Sequence, residues 1–494
     1  PIAAQGHAAG ASGHAQAVNS LLVHLVGAAV WLGGLITLVF LVKTVDRARL
    51  ALLVSRYSTL ALYSFIGVSV SGVVSAALRV GGFAALFETG YGQIVVLKAV
   101  TLVGLGIFGV VWRQWAIGKI PGPKGGRVFA GLVVAELALM GAASGLAAAL
   151  GRTATPVAIE SARATESPTV TPAEWLTGDP LPPELTFMSY ITEWKFDLAW
   201  ALVCFFGMAL YLAGVWRLHR RGDKWPVGRT IAWVFGLLLL LYTTNGALNA
   251  YEQYLFSVHM LGHMMLAMLI PLVLVLGAPI TLALRAVPKR TDGSWGGREW
   301  IMWMVQTPYS KVITHPVVAA VIWAGSLWVF YFTPMVRWAA SEHLGHQWMI
   351  VHFLISGYLF SLSMIGIDPV PYRFPYPLRI ATLFATMASH AFFGVTIMTT
   401  KGLLAADWYG AMGRTWGATP LEDQNVGGGI AWGIGELPTL ALALIVAIQW
   451  SRSDEKEQKR KDRFADRSGD AELHAYNEML AKQAERDQRA AARR

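Results

Sequence analysis

The 494-residue chain is short of cysteine and short of charge. Cys204 stands alone, so a disulfide within the chain is impossible, and a thiolate metal cluster supplied by this chain alone is excluded. Only 14% of the residues are Asp, Glu, Lys or Arg, against roughly 25% in soluble domains. In their place 55% of the chain is hydrophobic, and mean hydropathy is +0.47. A soluble globular class is excluded, and an integral membrane protein is what this composition builds. No signal peptide is visible, and the sequence opens on Pro1, which leaves open whether residues precede it.

Apolar runs of spanning length fall at about 19–42, 51–78, 91–112, 128–150, 194–216, 230–250, 256–278, 316–334, 347–365, 379–399 and 429–450. The expected fold class is therefore all-α, a polytopic transmembrane bundle of about eleven helices. The net charge of +10 needs no nucleic acid to explain it. The loops after helices 1, 3, 5, 7 and 9 carry nineteen Lys and Arg, and the opposite loops six. The positive-inside rule then predicts an N-terminus outside and a cytoplasmic C-terminus, and the expected location is the plasma (inner) membrane.

Five regions follow from the pattern. Residues 1–18 form a small, polar outer segment in which His7 and His14 read as surface histidines; 19–150 form a four-helix unit. The Pro- and Thr-rich stretch 151–193 is an outer linker. Residues 194–450 form a seven-helix unit, and 451–494 a charged cytoplasmic tail of mixed sign.

Ionisable groups inside a membrane are costly and are functional candidates by default. In the first unit these are His24, Lys98 and Glu136; Lys98 with Glu136 reads either as a buried ion pair or as a polar lining for ion passage. In the second unit the run from Tyr254 to Pro279, YLFSVHMLGHMMLAMLIPLVLVLGAP, carries His259 and His263. Residues i and i+4 share a helical face, so both imidazoles can reach one centre, although such a pair also occurs as plain packing. By the loop topology, His352 and His390 lie in the same outer leaflet. Four intramembrane histidines from three helices at one depth point to a metal. Imidazole suits copper, zinc and iron, and thioether selects Cu(I), which makes Met264 and Met387 candidate helpers or core filler. Asp423 and Gln424 mark the entry to the last helix. Glu436 within it reads as a ligand, a partner that orients a histidine, a proton carrier or a structural hydrogen-bonding group.

The strings LVHLVGAAVWLGGL, RYSTLALYSFIGVSVSGVVSA, TGYGQIVVLKAVTLVGLG and VAELALMGAASGLAAAL resemble the CopD-type copper resistance domain over most of 20–150. The resemblance implies copper handling, and His24 is the one residue it singles out. FSVHMLGHMMLAMLIPLVLVLGAP, HFLISGYLFSLSMIGIDPVP, HAFFGVTIM and DQNVGGGIAWGIGELP resemble the CtaG-type cytochrome c oxidase assembly factor family over 186–450, with Gly262 where that family has a glutamine-like residue. A fusion of the two is similar to an actinobacterial arrangement. It implies a non-enzymatic protein that holds copper, as Cu(I), for transfer to cytochrome c oxidase subunits, with His259, His263, His352, His390, Asp423, Gln424 and Glu436 as the site. A haem-binding electron carrier and a structural respiratory subunit are the competing readings.

Overall fold

The computed structural model describes residues 14–112, 115, 117–120, 122–157, 170–469 and 471–492. His7, Arg113, Arg163 and the side chain of His14 lie outside that set. Every regular element among the described residues is a helix. Four long helices build the first unit: α1 (His14–Leu41), α2 (Arg47–Val80), α3 (Gly90–Val111) and α4 (Gly125–Arg152). Then follow α5 (Leu198–Arg220), α6 (Val227–Asn245) and α7 (Phe256–Met264), the last continuing through a π-helical turn, Met265–Leu269, into Ile270–Leu276. After these come α8 (Pro316–Tyr331), α9 (Met335–Ser341), α10 (His343–Ile365), α11 (Tyr376–Thr399), α12 (Pro420–Ser468) and α13 (Ala471–Ala491).

Ten of these segments are long and apolar enough to cross a membrane, and α8 with α9 makes an eleventh if the pair is one span bent by 75°. The bend has a local cause. Pro334 sits between the two helices, lacks an N–H and cannot continue α8. All eleven expected runs are thus helices, and the chain is a multi-pass membrane protein. Helix ends are set by capping chemistry. Asp46 accepts from Arg49 N at 2.9 Å to start α2, and Thr419 with Glu422 forms a capping box at α12. Gly366, at φ +64°, ends α10 in the left-handed conformation that glycine adopts without steric cost.

The second unit surrounds a deeply buried α7. Helices α11 and α12 meet through small residues: a Cβ on Gly394 would lie 2.7 Å from Trp432 N, and one on Gly428 2.7 Å from Met398 N. Close backbone approach of this kind is how helices associate where lipid offers no hydrophobic gain.

The two units are joined by a buried polar knot at one end. Asp197 caps α5, its Oδ1 accepting from Ala199 N (2.9 Å) and Trp200 N (3.2 Å). Its Oδ2 accepts from Asn19 of α1 at 2.5 Å and from Gln347 of α10 at 2.9 Å. His343 Nε2 lies 2.6 Å from Asn19 Oδ1. Burial raises the Asp197 carboxyl above the usual carboxylate range, although these donors pull the other way. At the opposite end Arg56 of α2 pairs with Asp292 at 2.7 Å in the connection before α8.

Candidate metal centre

The site is organised by α7, and α7 is positioned from outside itself. Its first turn has no cap of its own. Asp423 of α12 supplies one, accepting from Phe256 N at 2.7 Å, from Ser257 N at 3.4 Å and from the Ser257 hydroxyl. Lower down, Pro271 lacks the N–H that would bond to the carbonyl four residues earlier, which belongs to Ala267. The helix opens into the π turn there, and Trp323 Nε1 of α8 donates to the freed Ala267 carbonyl at 2.9 Å. π turns of this kind are frequent at functional sites.

Four predicted histidines lie around this helix. His259, His263 and His390 are buried, with 3%, 1% and 1% of their surface exposed, and His352 is half-buried. His263 Nδ1 lies 2.9 Å from the hydroxyl of Tyr331 at the end of α8. If Nδ1–H donates there, Nε2 keeps its lone pair, the arrangement used by metal-binding imidazoles. His390 Nε2 lies 3.3 Å from Met264 Sδ, and the His390 ring stacks on Trp323 with 6.0 Å between centroids. Gly435 of α12 makes room for them, since a Cβ on it would fall 2.2 Å from His390 Cε1 and 3.0 Å from Met264 Sδ. The rings of His259 and His263 are 6.5 Å apart.

His352 faces away from the other three. The neighbouring Phe353 turns inward and meets His263 at 3.7 Å between ring centroids, while His352 stacks on Trp348 at 4.8 Å. Among the described residues, five buried side-chain nitrogen or oxygen atoms lack a hydrogen-bond partner. Four of them are His259 Nε2, His263 Nε2, His352 Nε2 and His390 Nδ1; the fifth is Trp112 Nε1. An unsatisfied buried polar atom costs about 1–3 kcal/mol, so their concentration here asks for a ligand. Nitrogen lone pairs beside a thioether form a donor set that suits Cu(I). Among the described residues no three His, Cys, Asp or Glu side chains close up as a ready-made metal site.

The remaining predicted residues divide. Asp423 spends its carboxylate on the α7 cap. Gln424 braces the connection before α12, accepting from Leu404 N at 2.7 Å and donating to Gly402 O at 3.1 Å. Glu436 is half-buried on α12, next to Gly435, and Met387 is half-buried one turn from His390. In the first unit His24 Nδ1 lies 3.1 Å from Ser71 Oγ. Glu136 accepts from Trp31 Nε1 at 2.8 Å, and among the described residues no ion pair joins it to Lys98, which is half-buried on α3.

Sequence reasoning overlooked Tyr331 and Glu252, and it left His346 in the loop above His352, whereas His346 lies in the first turn of α10. Glu252, in the turn before α7, is 7% exposed, and its Oε1 lies 3.3 Å from His346 Nε2. Burial pushes its carboxyl up to about 8, against the opposing pull of Lys195. The available signal was a lone carboxylate wedged between two apolar runs.

Comparison with known proteins adds to this geometry. Residues 51–150 match the family model for copper resistance protein D, and residues 209–453 match that for the cytochrome c oxidase caa3 assembly factor, Caa3_CtaG. The chain is 44% identical over 308 residues to the uncharacterized protein Mb0105 of Mycobacterium bovis, covering 61% of this chain and 46% of that one. It is 42% identical over 304 residues to the uncharacterized protein ML1998 of Mycobacterium leprae, again covering 61% and 46%. The chain thus spans about half the length of the curated relatives it matches. No solved structure matches. α2–α4 and the helices from α5 to α12 therefore carry two different family signatures, and this multi-pass membrane chain joins a copper resistance protein D domain to a caa3-type cytochrome c oxidase assembly factor domain.

Proposed function

We propose that the chain is a copper-handling protein of the plasma membrane that assists cytochrome c oxidase assembly. It holds copper as cargo, as Cu(I), at the α7 site for transfer to the oxidase. His259 and His263 of α7, His390 of α11 and Met264 are the holding groups, and His352 is a further imidazole reached by rotation of α10 side chains. The observation that carries the reading is the set of four orphaned imidazole nitrogens. The two family signatures agree with it, one for copper and one for oxidase assembly.

Transfer is ligand exchange. Each holding group leaves singly, and the thioether and neutral imidazoles release a soft cation without a proton having to move first. No bond of a substrate is broken, so no enzymatic step is involved. Asp423 and Gln424 act through the backbone, fixing the first turn of α7 and the connection before α12. The N-terminus faces outward in this reading, which puts the site on the outer side, where the oxidase subunits would receive the metal.

Elemental analysis of the purified protein from copper-replete cells tests the reading. Wild type is expected to retain copper, and the His259→Ala/His263→Ala variant to lose most of it while still accumulating in the membrane. Equal, negligible copper in both would overturn it.

A further inference from the structure

Beside the start of α1 an open cleft of about 230 Å³ is lined by Gln16, Asp179, Trp194, Lys195, Ala250 and Tyr254. Lys195 is one of the lining residues, with Nζ 2.9 Å from Asp179 Oδ2 and 3.0 Å from Gln253 Oε1. Behind Gln253 the chain turns Glu252 inward. One carboxylate oxygen of Glu252 lies 3.3 Å from His346 Nε2. The other lies 3.9 Å from where a Cβ on Gly262 would be, between His259 and His263 on α7. The carboxylate thus packs against α7 at Gly262. The turn is held in place, with Tyr409 donating to Glu252 O at 3.2 Å and Trp408 Nε1 to Gln253 O at 2.9 Å.

We propose that this cleft is the entrance to the metal centre, and that Glu252 with His346 is the first station for the entering cation. The proposal rests on the holding-site reading above. A salt bridge alone would account for the 3.3 Å contact, but not for where it stands, between an open cleft and two orphaned imidazoles. The separation also suits two ligands on one metal, since bonds of about 2.0–2.1 Å to a tetrahedral centre put neighbouring ligand atoms about 3.3–3.4 Å apart. A carboxylate and an imidazole accept a soft or borderline transition cation, and the deeper imidazole and thioether groups bind Cu(I) more selectively. Passage then runs from hard to soft donors. The Lys195 ammonium stands across this path and repels a cation, so it acts as the barrier.

The test is the rate and the final extent of Ag(I) binding, a redox-inert probe for Cu(I), to the full chain in lipid nanodiscs. Wild type is expected to bind Ag(I). Glu252→Gln should slow loading about tenfold at unchanged final stoichiometry, and Lys195→Gln should speed it severalfold, as local charge sets encounter rates. Lys195 is at the cleft surface, so its variant carries the test even if Glu252→Gln does not fold. Wild-type rates in both variants would overturn the entrance while leaving the holding site standing. Loss of stoichiometry in Glu252→Gln would make Glu252 part of the holding site and overturn the first-station assignment. Absence of Ag(I) binding in wild type would overturn both readings.

Discussion

The two membrane units treat their polar residues in opposite ways. In the first, the intramembrane groups found at the core serve packing: Glu136 holds Trp31, Tyr57 donates to the Trp31 carbonyl at 2.9 Å, and His24 meets Ser71. In the second, α7 is buried over 61% of its apolar window, against 6% for α3, and there the histidine nitrogens are left open. In the first unit a single described side-chain atom, Trp112 Nε1, is buried without a partner, against four histidine nitrogens in the second. A buried polar group with a partner stabilises a helix pair, whereas a cluster without partners calls for a water, an ion or another ligand.

Four variants would break or sharpen this contrast. The largest effect is expected from His263→Ala combined with His390→Ala, which should reduce retained copper at least about tenfold, as loss of chelating ligands costs well over 1.4 kcal/mol; metal analysis of the purified variant checks it. Gly435→Ala comes next. The added methyl group drives into His390 and Met264, so a loss of roughly 1–3 kcal/mol in stability should accompany lowered copper content, read by thermal melting and metal analysis together. Asp423→Ala removes the α7 cap and should cost about 1–2 kcal/mol, seen as a lower melting temperature, with copper binding weakened but present. The smallest effect belongs to Glu136→Gln. The amide oxygen still accepts from Trp31, so stability should move by less than about 1 kcal/mol and copper content should not move at all. A copper loss there as large as in the histidine variant would abolish the contrast.

The spans were legible because apolar runs of that length have few alternatives in a bilayer, where every backbone polar group must be bonded within its own helix. The helices that carry the histidines were legible for the same reason. Their facing was not. The polar residues of α10 are not gathered on one face, so no stripe distinguishes its inward side, and Phe353 rather than His352 occupies the position against His263. Asp423 and Gln424 stood out as polar residues near a helix start, but their roles as backbone caps depend on which segment each one meets. Lys98 and Glu136 suggested a pair that the packing of α1, with Trp31 beside Glu136, does not make.

The sequence by itself determined a multi-pass helical protein, two units of different family character, and one helix loaded with histidine and methionine. Hydrophobic length and residue chemistry are local quantities, and they survive without coordinates. Only the tertiary structure decided that Pro271 opens a π turn which Trp323 closes, that Gly435 admits His390 to Met264, and that Glu252 reaches His346 beside Gly262. Each of these depends on contacts between residues far apart in the chain, and helical periodicity carries no record of which neighbour a given face will meet.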